Sequence, residues 1–324
     1  MRRYFTMLVL ALAAAVCGPG TAAETAEAYP RKPMRVIVPF AAGGGTDLIA
    51  RITAQKLTEA WGQQVIVDNR PGAGGIVGTE IGVRASPDGY TFTLMGSSYT
   101  VNPSFYKLSF DPINDITPIA LISQGPFIVA LHPGVAARTV NDFIALAKAK
   151  SGQLSYATSG AGSITHLATE LFLGMAEVKM IHVPYKGTGP ALVDTVAGQV
   201  ALFFGDAPPT IPLVKSGRLR GIAVTTRDRI ATVPDIPTVH EAGVPGYEVL
   251  LWQGMIGPKG VPKGIADKVH AEIARAFQTK EMVERFRSDG ISPSASTREQ
   301  FASRIRRETE VWRKVVQQTG IKLE

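Results

Sequence analysis

From Met34 onward, short apolar runs alternate with stretches whose apolar residues recur at helical spacing. Residues 34–38 predict a strand, and 46–61 a helix with Leu48, Ile49, Ile52 and Leu57 toward one side. A strand over 65–67, a helix over 76–85 and a strand over 91–95 follow. This is the βαβ rhythm of a parallel sheet covered by helices. Two further strands, 119–122 and 127–131, are expected on either side of Gln124-Gly125-Pro126. A second alternation then begins: helix 139–150 capped by Thr139, strand 154–157, helix 163–173, strand 179–183, helix 190–197, and strands 200–204 and 221–225. Prolines and glycines between 234 and 246 mark a connection, and 248–256 reads as extended.

The end of the chain reads as helical. Pro262 suits a first helical turn, and Ile265, Val269, Ile273 and Phe277 recur every four residues. Thr297 with Gln300 forms a capping box ahead of Phe301, Ile305, Trp312 and Val316. These stripes are expected to face a core. Two alternations imply an α/β protein of two lobes. Pattern alone leaves open whether the C-terminal helices return to the first lobe.

The first residues change the compartment. Arg2 and Arg3 precede an apolar stretch over 7–16, and Gly18-Pro19-Gly20 breaks it before Thr21-Ala22-Ala23. That is the pattern of a secretory signal peptide over 1–23, with cleavage expected after Ala23. Cleavage would remove the single cysteine and two of the positive charges behind the formal net +7. No later stretch has the length and apolarity of a membrane span. Of the 324 residues, 45% are hydrophobic and 19% charged, which suits a packed core and excludes general disorder. The basic residues are scattered without interleaved aromatics, so nucleic acid is not an expected partner. A mild positive balance fits attraction of small anions.

Candidate chemistry sits at strand-to-helix corners. Phe40-Ala41-Ala42-Gly43-Gly44-Gly45-Thr46-Asp47 joins the first strand to the first helix. Glycines let backbone approach a ligand, and a helix start presents unpaired N–H groups to an anion. Thr46 or Asp47 can cap that helix. Ser159-Gly160-Ala161-Gly162-Ser163-Ile164-Thr165-His166 is the matching corner in the second alternation, with hydroxyls that can donate to an anion. Ser163 can equally be a helix cap alone. Tyr185 opens a third corner and can flank a ligand; Asp206 ends a strand and can accept from a ligand donor or cap a turn.

Other signals point to nothing further. Gly72 to Gly78 is one residue off the dinucleotide fingerprint and reads as a closely packed turn. No Walker lysine pattern, HExxH or GxSxG occurs, and the five histidines lack metal-ligand spacing. No metal, cofactor or catalytic constellation is expected. The rival enzymatic reading is an exported serine hydrolase using Ser163 with His166.

Several motifs in one order resemble the Bug family, the substrate-binding receptors of tripartite tricarboxylate transporters. They are Tyr29-Pro30 and Lys32-Pro33, the run from Val38 to Asp47, Asp68-Asn69-Arg70-Pro71-Gly72-Ala73-Gly74-Gly75, Pro87-Asp88-Gly89-Tyr90-Thr91, Tyr185-Lys186-Gly187 and Pro245-Gly246-Tyr247-Glu248. Asp68 stands where the family more often has glutamate. The resemblance implies a two-lobed periplasmic binding protein fold, type II-like, with the ligand cleft between lobes. It implies lobe 1 from 24–125 and 246–324 and lobe 2 from 126–245, with the C-terminal helices on lobe 1. It also implies that glycine-rich corners of both lobes grip a small carboxylate through N–H groups, hydroxyls and water. The residues so implied are Phe40, Ala42, Gly43, Gly44, Thr46, Asp47, Ser159, Gly160, Gly162, Ser163, Thr165 and His166, with Tyr185 and Asp206 in support. The expected protein is a monomeric periplasmic receptor that delivers an organic anion to permease subunits, or to a sensor protein instead.

Overall fold

The computed structural model describes residues 28–322, so the signal-peptide segment lies outside the described residues. The first sheet begins with β1 (Met34–Val38), β2 (Val65–Asn69) and β3 (Thr91–Gly96). All three are parallel, with Met34 opposite Val65 and Arg35 opposite Thr91. Four of the five β1 residues are buried because α1 (Gly45–Trp61) and α2 (Ile76–Val83) both pack on the strand. A strand covered on both faces is largely apolar, as MRVIV is apart from Arg35, which is half-buried and pairs with Asp68.

The second sheet contains β5 (Ser155–Thr158), β6 (Ile181–Pro184) and β7 (Leu202–Asp206), again parallel, in the order β7-β5-β6. Between the parallel strands lie α5 (Ile164–Ala176) and α6 (Thr188–Val196). Val140–Ala149 forms α4, and Thr139 and Asp142 make the expected cap into a full capping box.

The lobes are joined by one long strand, not two short ones. Ile116–Leu131 is a single β4, and Gln124-Gly125-Pro126 does not interrupt it. Its first part pairs with β9 (Leu250–Pro258) in the first sheet, as far as Pro126 opposite Leu250. Its last part pairs with β7 and with β8 (Arg220–Val224) in the second sheet, starting at Phe127 opposite Asp206. Pro126, which lacks an N–H, thus falls where one ladder gives way to the next. Gly125 is required by close packing, since a Cβ there would stand 2.6 Å from the Ile291 side chain.

Three helices carried no clear signal in the sequence. Ser98–Phe105 (α3) and Ala207–Lys215 (α7) contain prolines that obscure helical periodicity, and Lys280–Ser288 (α9) buries only Met282 and Phe286. The remaining helices are α8 (Lys263–Phe277) and α10 (Arg298–Thr319). The four-residue stripe of α8 packs into the core around the first sheet.

Helix α10 packs against elements of both sheets. Glu308 accepts from Trp252 Nε1 at 2.6 Å and Arg304 Nε at 2.7 Å, while Arg304 Nη1 donates to Gln124 Oε1 at 2.8 Å. Further along, Trp312 and Val316 pack against the core of the second sheet. No helix among the described residues is long and apolar enough to cross a membrane.

Candidate functional site

The first corner lies between β1 and α1. Gly44 is the N-cap of α1 and supplies no side-chain bond to the free N–H groups. Gly43 turns the chain with φ +87°. Asp47 is committed within its own lobe. Its carboxylate accepts from Gly43 N–H at 3.1 Å, Arg51 at 2.9 and 3.0 Å, and Asn69 Nδ2 at 2.9 Å. Burial opposes its ionisation, but these bonds outweigh that effect and hold its pKa below the ordinary value. Asn69 also donates to Phe40 O at 3.0 Å, which fixes the loop's path.

The acceptor missing from α1 arrives from the other sheet. Gly45 N–H donates to Asp206 Oδ2 at 2.9 Å, and Thr188 Oγ1 donates to the same oxygen at 3.1 Å. Asp206 ends β7 and is only 4% exposed. Burial raises its pKa to about 6, against the opposing pull of the Gly45 and Thr188 donors.

The second corner, between β5 and α5, is built from hydroxyls. Ser163 caps α5, accepting from His166 N–H at 3.3 Å. Thr165 Oγ1 lies 2.9 Å from Ser159 Oγ and 3.0 Å from Ser163 Oγ, and accepts from Ser159 N–H at 2.8 Å. Here too a helix start is met from across the cleft: Ile164 N–H donates to Ser98 Oγ at 3.0 Å. Each corner's helix is therefore met by a side chain from the opposite lobe.

The corners converge. A cavity of about 20 Å³ is lined by Phe40, Ala41, Gly44, Thr46, Asp47, Gly96, Ser98, Ser159, Ile164, Thr165, Thr188, Asp206 and Leu251. That volume holds about one water, so an organic ligand requires the corners to move apart. A neighbouring chamber of about 220 Å³ shares Phe40 and Ser159 and adds Gly72 to Gly75, Gly160, Ala161, Pro184, Tyr185 and Lys186.

The sequence-predicted residues divide accordingly. Phe40, Gly44, Thr46, Asp47, Ser159, Thr165 and Asp206 line the small cavity, and Gly160 and Tyr185 line the chamber. Tyr185 donates its hydroxyl to Asp194 at 2.7 Å; burial together with that carboxylate pushes its pKa up to about 12. Ala42 and Gly43 stand at the outer rim, where Gly43 and the Ala42 carbonyl approach Gly189. Gly162 and Ser163 line neither space; Gly162 packs against Tyr106.

His166 points elsewhere. It lines a separate cavity of about 530 Å³ beside residues 319–322. Its Nδ1 accepts from Gly162 N–H at 3.2 Å, and its ring stacks on His182 with centroids 4.2 Å apart. Burial, helped by His182, lowers its pKa to about 3. The hydrolase reading required the ring of His166 on the Ser163 hydroxyl. Instead, Ser163 Oγ engages Thr165 Oγ1 and the His166 backbone.

Residues 49–321 match the model of the tripartite tricarboxylate transporter family receptor. The chain belongs to that family. The receptor is 35% identical to protein BugT of Bordetella pertussis, over 98% of this chain and 99% of BugT. It superposes on the periplasmic binding protein BugD with a TM-score of 0.88 at 31% identity, covering 91% of this chain and 100% of BugD. It superposes on R. palustris Rpa4515, solved with adipate, with a TM-score of 0.88 at 32% identity, covering 91% of this chain and 99% of that one. The two-lobed α/β reading therefore holds, and the receptor sits among solute-binding proteins.

Sequence reasoning missed several lining residues. Ser98 carries no motif, and Thr188 lies in the third corner behind Tyr185 but was not singled out; both enter the cavity through the folding of distant segments. The Gly72 to Gly75 loop is closely packed as expected, but its packing partner is the opposite corner. A Cβ on Gly74 would stand 2.5 Å from the Ala161 carbonyl, and Asn102 Nδ2 bridges Gly74 O at 3.4 Å and Gly162 O at 3.1 Å. The available signal was the density of glycine itself: close backbone approach across a cleft leaves no room for side chains.

Proposed function

We propose that this receptor works in the periplasm, closing its lobes on a small organic carboxylate and delivering it to the membrane subunits of a tripartite tricarboxylate transporter. The observation that carries this reading is reciprocal capping across the cleft. The starts of α1 and α5 flank one cavity, and each finds its acceptor in the opposite lobe. Acceptor oxygens of a carboxylate suit those same N–H groups. The adipate in the related R. palustris structure agrees with that class of ligand.

In this reading the lobes are 24–125 with 246–324, and 126–245, and β4 and the segment into β9 form the crossings. The ligand contacts are Phe40, Gly44, Thr46, Ser159, Gly160, Thr165, Tyr185 and Asp206. Asp47 and Ser163 hold the corners in shape. The receptor is a monomer, is exported by its N-terminal signal peptide, and has no turnover of its own.

Binding that ties the lobes together stabilises the folded state. Ligand at about a hundred times its dissociation constant adds ~2.7 kcal/mol, so a carboxylate panel should raise the melting temperature. Absence of any shift at millimolar concentrations would refute carboxylate capture. Delivery is tested by co-purification with the permease subunits; recovery of a sensor protein in their place would redirect the partner assignment.

A further inference from the structure

Among the described residues, Asp206 is a buried carboxylate that no cation pairs with. Its Oδ2 accepts from Gly45 N–H and from Thr188 Oγ1, both uncharged. It is pressed against the start of α1: a Cβ on Gly45 would stand 2.7 Å from that oxygen. Burial is the leading influence on its affinity for protons, and no neighbouring charge opposes it.

The charged groups around it are committed elsewhere. Asp47, the other acid of the cavity lining, is held by Arg51, Asn69 and the Gly43 amide. Lys186, just ahead of α6, lines the neighbouring chamber and not this cavity, and Asp194 on α6 accepts from Tyr185. Lys215 stands in the last turn of α7, far from Asp206 at its start. Strand β4, which pairs with Asp206 at Phe127, carries no charged residue, and neither does β5. His166, stacked on His182, lines a different cavity.

Gly45 N–H is also where the carboxylate reading brings the ligand. The closed cavity holds about one water, so the lobes must open, admit the anion and shut again with two carboxyl groups at one helix start. Two carboxylates sharing uncharged donors repel, and a proton on one of them relieves the repulsion. A protonated carboxyl also has an O–H to donate to the ligand oxygen, whereas the ionised form only accepts.

We infer that capture of a carboxylate at the start of α1 takes up one proton from solvent, held on the Asp206 carboxyl, so that the receptor binds its anion more tightly as the medium becomes acidic. This rests on the carboxylate reading of the cleft and adds to it a proton as co-ligand. The bond formed is the Asp206 O–H, the proton comes from water or buffer, and the ligand keeps its charge. In the empty receptor Asp206 is mostly ionised at neutral pH and mostly protonated below about 6. Uptake is therefore largest at neutral pH and vanishes in acid, and affinity falls by up to about tenfold per pH unit above that value.

The test is calorimetry with adipate in buffers of different ionisation heat, from about pH 6.5 to about pH 8, where adipate itself stays ionised. The native receptor should take up close to one proton per adipate at neutral pH, and its affinity should fall as pH rises. Asp206→Asn carries a permanent donor. It should take up no proton, hold the same affinity across the range, and bind about tenfold more tightly than the native receptor at the alkaline end. His132, His240 and His270 lie outside the cavity lining, and uptake on any of them would persist in the variant. No uptake by the native receptor, or uptake that survives in Asp206→Asn, would overturn the linkage while leaving carboxylate capture intact. If adipate gives no heat, the carboxylate that most raises the melting temperature takes its place; if none binds, the carboxylate reading falls and the linkage with it.

Discussion

The start of α1 receives a carboxylate from the opposite lobe, whereas the start of α5 receives a hydroxyl. Both corners join a parallel strand to a helix, and both are rich in glycine. Yet the first has its own acid, Asp47, turned inward to Arg51 and Asn69, and borrows Asp206. The second satisfies itself with Ser159, Ser163 and Thr165 and borrows only Ser98. The difference separates two jobs. A neutral acceptor costs little to bury or to displace, while a buried carboxylate is stable only as far as its donors offset desolvation. The first corner is thus the electrostatically sensitive half of the cleft.

The sharpest way to break the comparison is to keep the corners from meeting. A Cβ on Gly189 would collide with the Ala42 carbonyl, so Gly189→Val should hold the lobes apart. Reduction of the closed arrangement to about one per cent of the population lowers apparent affinity about a hundredfold. Calorimetry with a carboxylate, and a larger radius of gyration by small-angle scattering, check this. Native affinity in this variant would mean that closure does not depend on that contact.

The electrostatic half can be isolated through Asp206. Its folded pKa, about 6, lies above the ordinary value for an aspartate, so the folded state holds the proton more tightly. The associated stability is present in full below the unfolded value and is lost as pH rises through about 6. Complete ionisation costs roughly 3 kcal/mol. Asp206→Asn keeps an oxygen for Gly45 and should melt higher than the native protein at neutral pH, with the gap closing in acid. A lower melting temperature at neutral pH would show that the helix start stabilises the ion more than burial penalises it.

Asp47 should behave in the opposite sense. Its pKa is depressed, so its contribution is present above the ordinary carboxylate range and is lost as pH falls through the depressed value. Asp47→Ala strands the Gly43, Asn69 and Arg51 donors and should cost about 2 kcal/mol in urea unfolding at neutral pH, less in acid. The smallest effect is expected at the neutral corner. Ser163→Ala removes the α5 cap and should cost about 1 kcal/mol. A larger loss there than at Asp47 would reverse the ranking of the two corners.

Much of this was legible in the residues. Helix α1 begins one residue from its expected start, the Thr139 and Thr297 caps form as read, and the α8 stripe is buried. Capping boxes and apolar periodicity are local properties, encoded within a few residues. The break expected at Gln124-Gly125-Pro126 is absent because a strand can continue through proline where its pairing partners change. Helices α3 and α7 were hidden for a related reason: proline weakens the local signal, and packing against neighbouring elements restores the helix.

By itself the sequence determined most of the strands and helices, the glycine corners and the family likeness, because burial periodicity and conformational permissiveness are written residue by residue. Only the tertiary structure decided which atoms meet. Gly45 and Asp206 are separated by 161 positions, and Ser98 and Ile164 by 66. Their encounters depend on where β4 carries the chain between sheets and how far the lobes close, and no local pattern encodes that path.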